Sequence, residues 1–145
     1  MQGYNRQVRS IGPEEIAEAR RRLGAFRSQD TIADGDAVYV NASGYIARAR
    51  ANASSTMHCV GVADQAIASG LQGAVVFAGH KYSSNYNFSG YVGLNAYVSA
   101  ATAGAMLGTQ PTASGQIVQQ VGVITGRQTI QVSIGGAFQK GQGSL

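Results

Sequence analysis

The chain has little of several residue types that usually define a fold or a site. It contains one cysteine, Cys59, no tryptophan and two prolines in 145 residues. A single cysteine excludes an intrachain disulfide, and no stretch approaches the roughly 18 apolar residues that a membrane-spanning helix needs. A positively charged start followed by an apolar run is also missing, so the sequence predicts no secretory signal and synthesis in a cytoplasm.

Charged residues are scarce, and their distribution is uneven. They make up 12% of the chain, against a usual share of about 25%. Residues 1–50 contain eight of the eleven basic residues and six of the seven acidic ones. Because a charged surface normally keeps a globular protein dispersed, residues 51–145 are expected to give much of their surface to neighbouring chains.

Residue types that carry catalysis or bind metals are too few and too scattered to suggest a site. His58 and Cys59 are adjacent, so a strand would direct them to opposite faces, and His80 is distant in sequence. Asp34 and Asp36 lack the further oxygen ligands of a calcium loop and are better explained as part of a turn. Nucleophile elbows and phosphate-binding glycine motifs do not occur. We therefore expect no enzyme activity, no metal and no cofactor.

Residues 1–30 differ from the rest and are predicted to form an N-terminal arm. The segment from Pro13 to Gly24 has a proline at its first turn, glutamates near its start, arginines near its end and a terminal glycine, which together predict a short α-helix. Apolar residues fall on one face of this helix. We expect the arm to bind a partner surface through this amphipathic helix and its flank, using Ile16, Arg20, Arg21, Arg22, Leu23 and Phe26.

The basic arm leaves two classes of partner open. The pI near 9.5 and the run Arg20–Arg22 are compatible with contacts to phosphates. Against this, the net charge is only +4, and three glutamates on the same helix balance the arginines. An acidic protein partner is therefore favoured over nucleic acid.

From Thr31 onward, short β-type runs alternate with glycine-containing turns. This pattern predicts a mainly β domain over residues 31–136, a small β-sandwich or barrel, followed by a C-terminal tail over residues 137–145. The pattern also occurs twice, which predicts two related β-halves in one domain. The repeated runs are Ala37–Val40 and Val60–Val62 in the first half, and Asn95–Val98 and Val121–Val123 in the second, with turns at Gly44 and Gly104.

Residues 80–91, between the halves, combine tyrosine, serine and asparagine. Such a mixture is typical of adaptable contact surfaces. The same aromatic residues equally suit an ordinary strand pair that covers the core. Both interpretations stay open for the four aromatic residues Tyr82, Tyr86, Phe88 and Tyr91.

From Thr31 to Gly136 the chain resembles a β-module of tailed-bacteriophage virion proteins, found in capsid decoration (cement) proteins and in parts of head and tail fibres. The N-terminal arm is not part of this resemblance. The stretches that carry it are Ile32–Val40 with Gly44; Val60–Ala63, Ile67–Gly70 and Gly73–Val76; and Leu94–Ser99, Gly104, Pro111, Gly115, Gln119–Val123 and Thr129–Ile134.

The resemblance implies a virion structural protein that assembles as a homotrimer and has no catalytic residues. The first expectation is a capsid decoration protein that binds and stabilises the assembled head. It would be made in the host cytoplasm and then lie on the capsid surface, against the major capsid protein or another virion protein. The alternative is a head-fibre or tail-fibre protein that binds a host glycan through residues 82–91. Neither expectation involves a membrane.

Overall fold

Eleven β-strands form one antiparallel sheet in the computed structural model, which describes residues 21–141 and 143–144. The described residues contain no α-helix, only a short 3-10 turn at Ser54–Thr56. The prediction of a mainly β fold is confirmed. The strands are β1 (Arg22–Arg27), β2 (Ala37–Val40), β3 (Ile46–Arg48), β4 (Cys59–Ala63), β5 (Gln72–Tyr82), β6 (Asn95–Val98), β7 (Met106–Leu107), β8 (Ile117–Gly126), β9 (Thr129–Ser133), β10 (Ala137–Gln139) and β11 (Gly143–Ser144).

The sheet is arranged around the long strand β5. Its order is β11-β10-β8-β9-β5-β4-β2-β3, with β1 paired to β5, β6 paired to β8, and β7 paired to β6. The sheet therefore extends beyond residues 31–136 on both sides, since β1 precedes this range and β10 pairs with β8 after it. Within the described part of the chain, no helix is long and apolar enough to cross a membrane.

The two predicted halves share one strand layout and one register. In the first half β2 pairs with β3 and β4, and β4 continues the sheet to β5; in the second, β6 pairs with β7 and β8, and β8 continues it to β9. The pairing of β2 with β4 is irregular between Val38 and Tyr39, and the pairing of β6 with β8 is irregular between Ala96 and Tyr97. Because even this irregularity recurs at the corresponding position, the halves are structural repeats.

A glycine at the same place in each half explains part of this repetition. Gly61 lies opposite Val38, and Gly122 lies opposite Ala96. A Cβ atom on Gly61 would overlap the carbonyl oxygen of Val76, and one on Gly122 would overlap that of Gln131. Glycine at these two positions allows neighbouring backbones to approach closely beside the irregular pair.

Two apolar cores fill the fold. The larger contains residues of both halves, among them Val62 and Val76 from the first and Val121 and Ile130 from the second. The smaller lies on the other face of the first half, where it contains Ile32, Val38, Ile46, Ala63, Ile67 and Val75, with Phe26, Val60 and Phe77 packed against it.

The predicted helix is wrong at its C-terminal end. Residues 22–24 lie in β1, which pairs along β5 in antiparallel register from Arg22 to Arg27. In this pairing the backbone amides and carbonyls of β1 find hydrogen-bond partners on β5. A helix at these residues would leave that edge of β5 unpaired. Gly24 does not end a helix; it makes room for the Phe77 ring, which a Cβ atom there would overlap. The rest of the predicted helix, residues 13–20, lies outside the described residues.

Candidate assembly surfaces

Arg21, the first described residue, is tied to the β domain by a partly buried network of charges. Its guanidinium donates two hydrogen bonds to the carboxylate of Asp64, at 2.9 and 3.2 Å. The ammonium of Lys81 lies 2.6 Å from Asp34 and 3.3 Å from Asp64. We call Arg21, Asp34, Asp64 and Lys81 the charge cluster. It holds Arg21, and with it the start of β1, against the β domain.

Desolvation makes the charge cluster sensitive to the loss of one member. The side chain of Lys81 is only 5% exposed, and that of Arg21 only 12%. Buried ions are tolerated when oppositely charged groups and hydrogen bonds surround them, and removal of one partner leaves an uncompensated charge. Sequence reasoning missed this cluster. The one signal for it is that Asp64 and Lys81 are isolated charges in a stretch with almost none.

The predicted anchor residues do not form one apolar stripe. Leu23 is exposed, whereas Phe26 is half-buried and packs edge-to-face on Phe77 at 5.8 Å between ring centroids. The two lie three residues apart on a strand, so they point to opposite faces. Arg21 pairs with Asp64 of its own chain, and Arg22 is exposed. Ile16 and Arg20 lie outside the described residues.

The aromatic residues between the halves divide into two pairs. Tyr86 and Phe88 are 8% and 4% exposed and belong to the larger core, with their ring centroids 5.0 Å apart. For these two the core interpretation is therefore correct and the surface interpretation is wrong, because the turns after β5 fold them inward. Tyr82 and Tyr91 are exposed.

Tyr86 has a structural role at the turn before β2. Its hydroxyl donates a hydrogen bond of 2.9 Å to the carbonyl of Gly35. Ser83 and Asn85 each donate to the carbonyl of Asp34. Burial raises the pKa of Tyr86 above its ordinary value, so the phenol stays protonated and can donate. The segment after β5 thus holds the turn that presents Asp34 to Lys81.

Asp36 lines a small cavity beside this turn. The cavity holds about 150 Å³ between the turn at Asp34–Asp36, residues 85–88 and residues 104–106. Burial raises the pKa of Asp36, although a hydrogen bond from the amide of Ala33 acts against the shift. Among the described residues, no three His, Cys, Asp or Glu side chains are grouped so that they could hold a metal ion.

Corresponding faces of the two halves lie in different environments. Ala37, Val62 and Val76 of the first half are fully buried in the larger core. Their register equivalents in the second half are Asn95, Val123 and Gln131, and all three are exposed. The opposite face of the second half supplies its own residues to the larger core. The first half is thus covered on both faces, and the second half on one.

We call the uncovered side of the second half the open face. Two rows of cross-strand neighbours define it, and they run at right angles to the strands. One row is Leu107, Tyr97 and Gln120, across β7, β6 and β8. The other is Asn95, Val123, Gln131 and His80, across β6, β8, β9 and β5. These seven residues include no Asp, Glu, Lys or Arg.

The open face continues into a shallow groove of about 400 Å³ beside β6. Leu94, Asn95 and Tyr97 form one side of the groove, and residues 108–112 contribute to the other. Tyr91 lies against Gly108 so closely that a Cβ atom there would overlap its ring. Four exposed apolar residues of the second half therefore lie on or beside the open face: Tyr91, Leu94, Leu107 and Val123.

Comparison with known proteins adds no family to this description. No protein-family model matches the chain, and no curated protein sequence matches it. The function must therefore be inferred from the charge cluster, the open face and the arm.

Proposed function

We propose that this chain is a non-catalytic structural protein of a bacteriophage particle, a capsid decoration protein that binds and stabilises the assembled head. In this proposal the β domain forms the outer, self-associating body. Residues 1–20 attach it to the major capsid protein or to another virion protein. The resemblance of residues 31–136 to phage β-modules suggests this class, and the described structure supplies a physical basis for it.

The observation that carries the proposal is the fixed position of Arg21, the residue that joins residues 1–20 to the β domain. Arg21 is held by two charge-assisted hydrogen bonds to Asp64, a geometry that fixes direction as well as position. A strand of six residues, β1, follows at once and is paired along its whole length with β5. Arg21 and β1 therefore hold a defined position on the β domain, which supports a role for the preceding residues in attachment.

A second feature that supports the proposal is the separation of two surfaces. The charge cluster belongs to the first half, whereas the open face belongs to the second except for His80, which points to the opposite face of β5 from its neighbour Lys81. A protein that binds a particle through one region and its own copies through another needs such separation. Several copies that act together would then add avidity to a modest contact by each arm.

The glycan-binding alternative loses part of its basis. Of the four aromatic residues on which it rested, Tyr86 and Phe88 are core residues. Tyr82 and Tyr91 remain exposed, but they are separated by the turns between β5 and β6. We therefore do not propose a second function.

The test is a binding assay on purified empty heads of the phage that encodes the chain. The full chain should bind in a saturable amount. A variant that lacks residues 1–20 retains Arg21 and β1, so it should stay folded and lose binding. Leu23→Asp, on the exposed side of β1, is the matched control and should bind like the full chain if the attachment lies before residue 21.

Two results would contradict the proposal. Absence of saturable binding by the full chain would remove the decoration function. Full occupancy by the variant without residues 1–20 would move the attachment to the β domain and refute the role of the arm.

A further inference from the structure

The open face is unusual because it is neither apolar enough for a core nor charged enough for a free surface. It combines Tyr97, Leu107 and Val123 with the amides Asn95, Gln120 and Gln131, and with His80. A solvent-exposed sheet face of a soluble protein usually carries charged side chains that oppose association. Their absence from all seven positions distinguishes this face from the first half, where Arg22, Arg27 and Arg48 are exposed.

The amides of the open face have unused hydrogen-bonding capacity. Within the part of the chain that the structure describes, the side chains of Asn95, Gln120 and Gln131 make no hydrogen bond. By contrast, the neighbouring Gln119 points inward and bonds to the backbone of Cys59 and Gly135. Each primary amide offers donors and an acceptor together. Amides on the open face can therefore pair with identical amides on another molecule.

The internal repeat shows what kind of surface fits this face. The corresponding face of the first half, with Ala37, Val62 and Val76, is covered by residues of the second half, such as Val121 and Ile130. The surface that packs on this face of the first half is thus a β-sheet face of the same chain. The second half has the same strand layout and register, but on its open face Asn95, Leu107, Val123 and Gln131 are exposed, and Tyr97, Gln120 and His80 are half-buried.

We propose that a second copy of this chain covers the open face in solution. A copy is favoured over an unrelated partner because the face carries no Asp, Glu, Lys or Arg, so two such faces meet without repulsion between those groups. A two-fold symmetric contact places each surface against itself, which requires self-complementary groups. The unpaired amides and the apolar side chains at the centre of the face meet this requirement.

This inference deepens the proposed function, which also includes self-association, but it does not depend on the capsid. It assigns the contact to particular residues, with Val123 and Tyr97 near the middle and Leu107 and His80 at the two ends of the rows. Together the two rows cross five strands, so at about 4.8 Å between neighbouring strands the open face is about 19 Å wide. That width suits a sheet face that docks on another sheet face.

The test is sedimentation velocity of the full chain over a range of concentrations. The parent should sediment as a multiple of 15.0 kDa, and dilution should dissociate it. Val123→Lys would place like charges opposite each other in a desolvated contact, so it should weaken association by about tenfold or more. Leu71→Lys is the matched control, because Leu71 is 60% exposed on the first half, and it should sediment like the parent.

Each outcome decides the inference. Circular dichroism and thermal unfolding first establish that Val123→Lys is folded; if it is not, Leu107→Lys takes its place at the edge of the same face. A parent that stays at the monomer mass at every concentration overturns the inference, and so does association that neither lysine weakens. If such a monomer still bound empty heads, the proposed function would stand and only the self-association surface would be wrong.

Discussion

The two halves of this sheet have the same strands in the same register, yet their corresponding faces lie in opposite environments. In the first half, β1 and the segments around Ile32 and Ile67 cover one face, and the second half covers the other. In the second half, β5 pairs with β9 as β1 pairs with β5 in the first, and the face that carries Asn95, Val123 and Gln131 is exposed. The difference lies in what surrounds each half rather than in how its strands pair.

The side chains at corresponding positions of the two halves differ in the same way. Where the first half has Ala37, Val62 and Val76, the second has Asn95, Val123 and Gln131. Two of the three positions change to a neutral amide and none changes to a charge. Full exposure to water would tolerate lysine or glutamate at such positions. Amides beside apolar residues are the basis of our proposal that a second copy covers this face.

The charge cluster is the largest asymmetry between the halves, and its loss should have the largest effect. Asp64→Asn removes the carboxylate shared by Arg21 and Lys81, so it should lower the free energy of unfolding by about 3–5 kcal/mol. Arg48→Gln is the control, since the Arg48–Asp30 pair is nearly half exposed at 3.8 Å and should cost about 0–1 kcal/mol. Urea unfolding measures both. Equal, small losses would show that the cluster does not stabilise the first half.

The repeated glycines test whether the halves are equivalent in backbone packing. Gly61→Ala and Gly122→Ala each place a methyl group against a carbonyl oxygen of the next strand, so each should destabilise by about 1–3 kcal/mol. Gly136→Ala is the control, because a Cβ atom there meets open space. Thermal unfolding of the three variants measures these losses. If only one of Gly61→Ala and Gly122→Ala were destabilised, the two halves would not be equivalent in backbone packing.

Corresponding valines test the difference between the two faces. Val62 is 0% exposed, whereas Val123 is 36% exposed. Val62→Thr buries a hydroxyl in the larger core and should cost about 1–3 kcal/mol. The same change at Val123 should stay within about 0.5 kcal/mol in the monomer. Denaturant unfolding at low protein concentration makes the comparison, and equal costs would contradict the assignment of an open face.

Asp36 should give the smallest effect, with a defined pH dependence. Because burial raises its pKa in the folded state, ionisation opposes folding once the pH exceeds the pKa of the unfolded chain. Asp36→Asn should therefore stabilise the protein at neutral pH by less than about 1 kcal/mol. The gain should disappear below about pH 3.9, where the carboxyl is protonated in both states. Urea unfolding at both pH values tests this, and a variant that is less stable at neutral pH would show that the ionised carboxylate is needed.

The sequence predicts the β class and the repeat because both depend on local signals. Alternating β-type runs and glycine turns recur in each half, and Gly44 and Gly104 take the left-handed backbone conformation expected at turns. The end of the predicted helix is wrong because residues 22–24 satisfy helix rules locally, while the edge of β5 that captures them is about fifty residues away. A local sequence pattern contains no information about a pairing strand that lies so far along the chain.

The candidate surfaces were less predictable for the same reason. Tyr82 and Tyr86 share one alternation in sequence, but the turns after β5 break it, so one is exposed and the other buried. Lys81 meets Asp34 across 47 residues and Asp64 across 17. The open face exists only once β5, β6, β7, β8 and β9 lie side by side. The low charge of residues 51–145 predicted that an assembly surface would exist, but not its location.

The most direct test of the central claim, that the open face is covered by assembly, is the reactivity of a thiol placed on it. Val123→Cys and Leu71→Cys provide single reporters in the two halves, since Cys59 is buried and burial raises its pKa to about 12. We predict that labelling of Val123→Cys by a maleimide slows severalfold as protein concentration rises through the association range, while labelling of Leu71→Cys stays constant. Labelling of Val123→Cys that is independent of concentration, in a chain that sediments as an oligomer, would contradict the account and place the contact elsewhere.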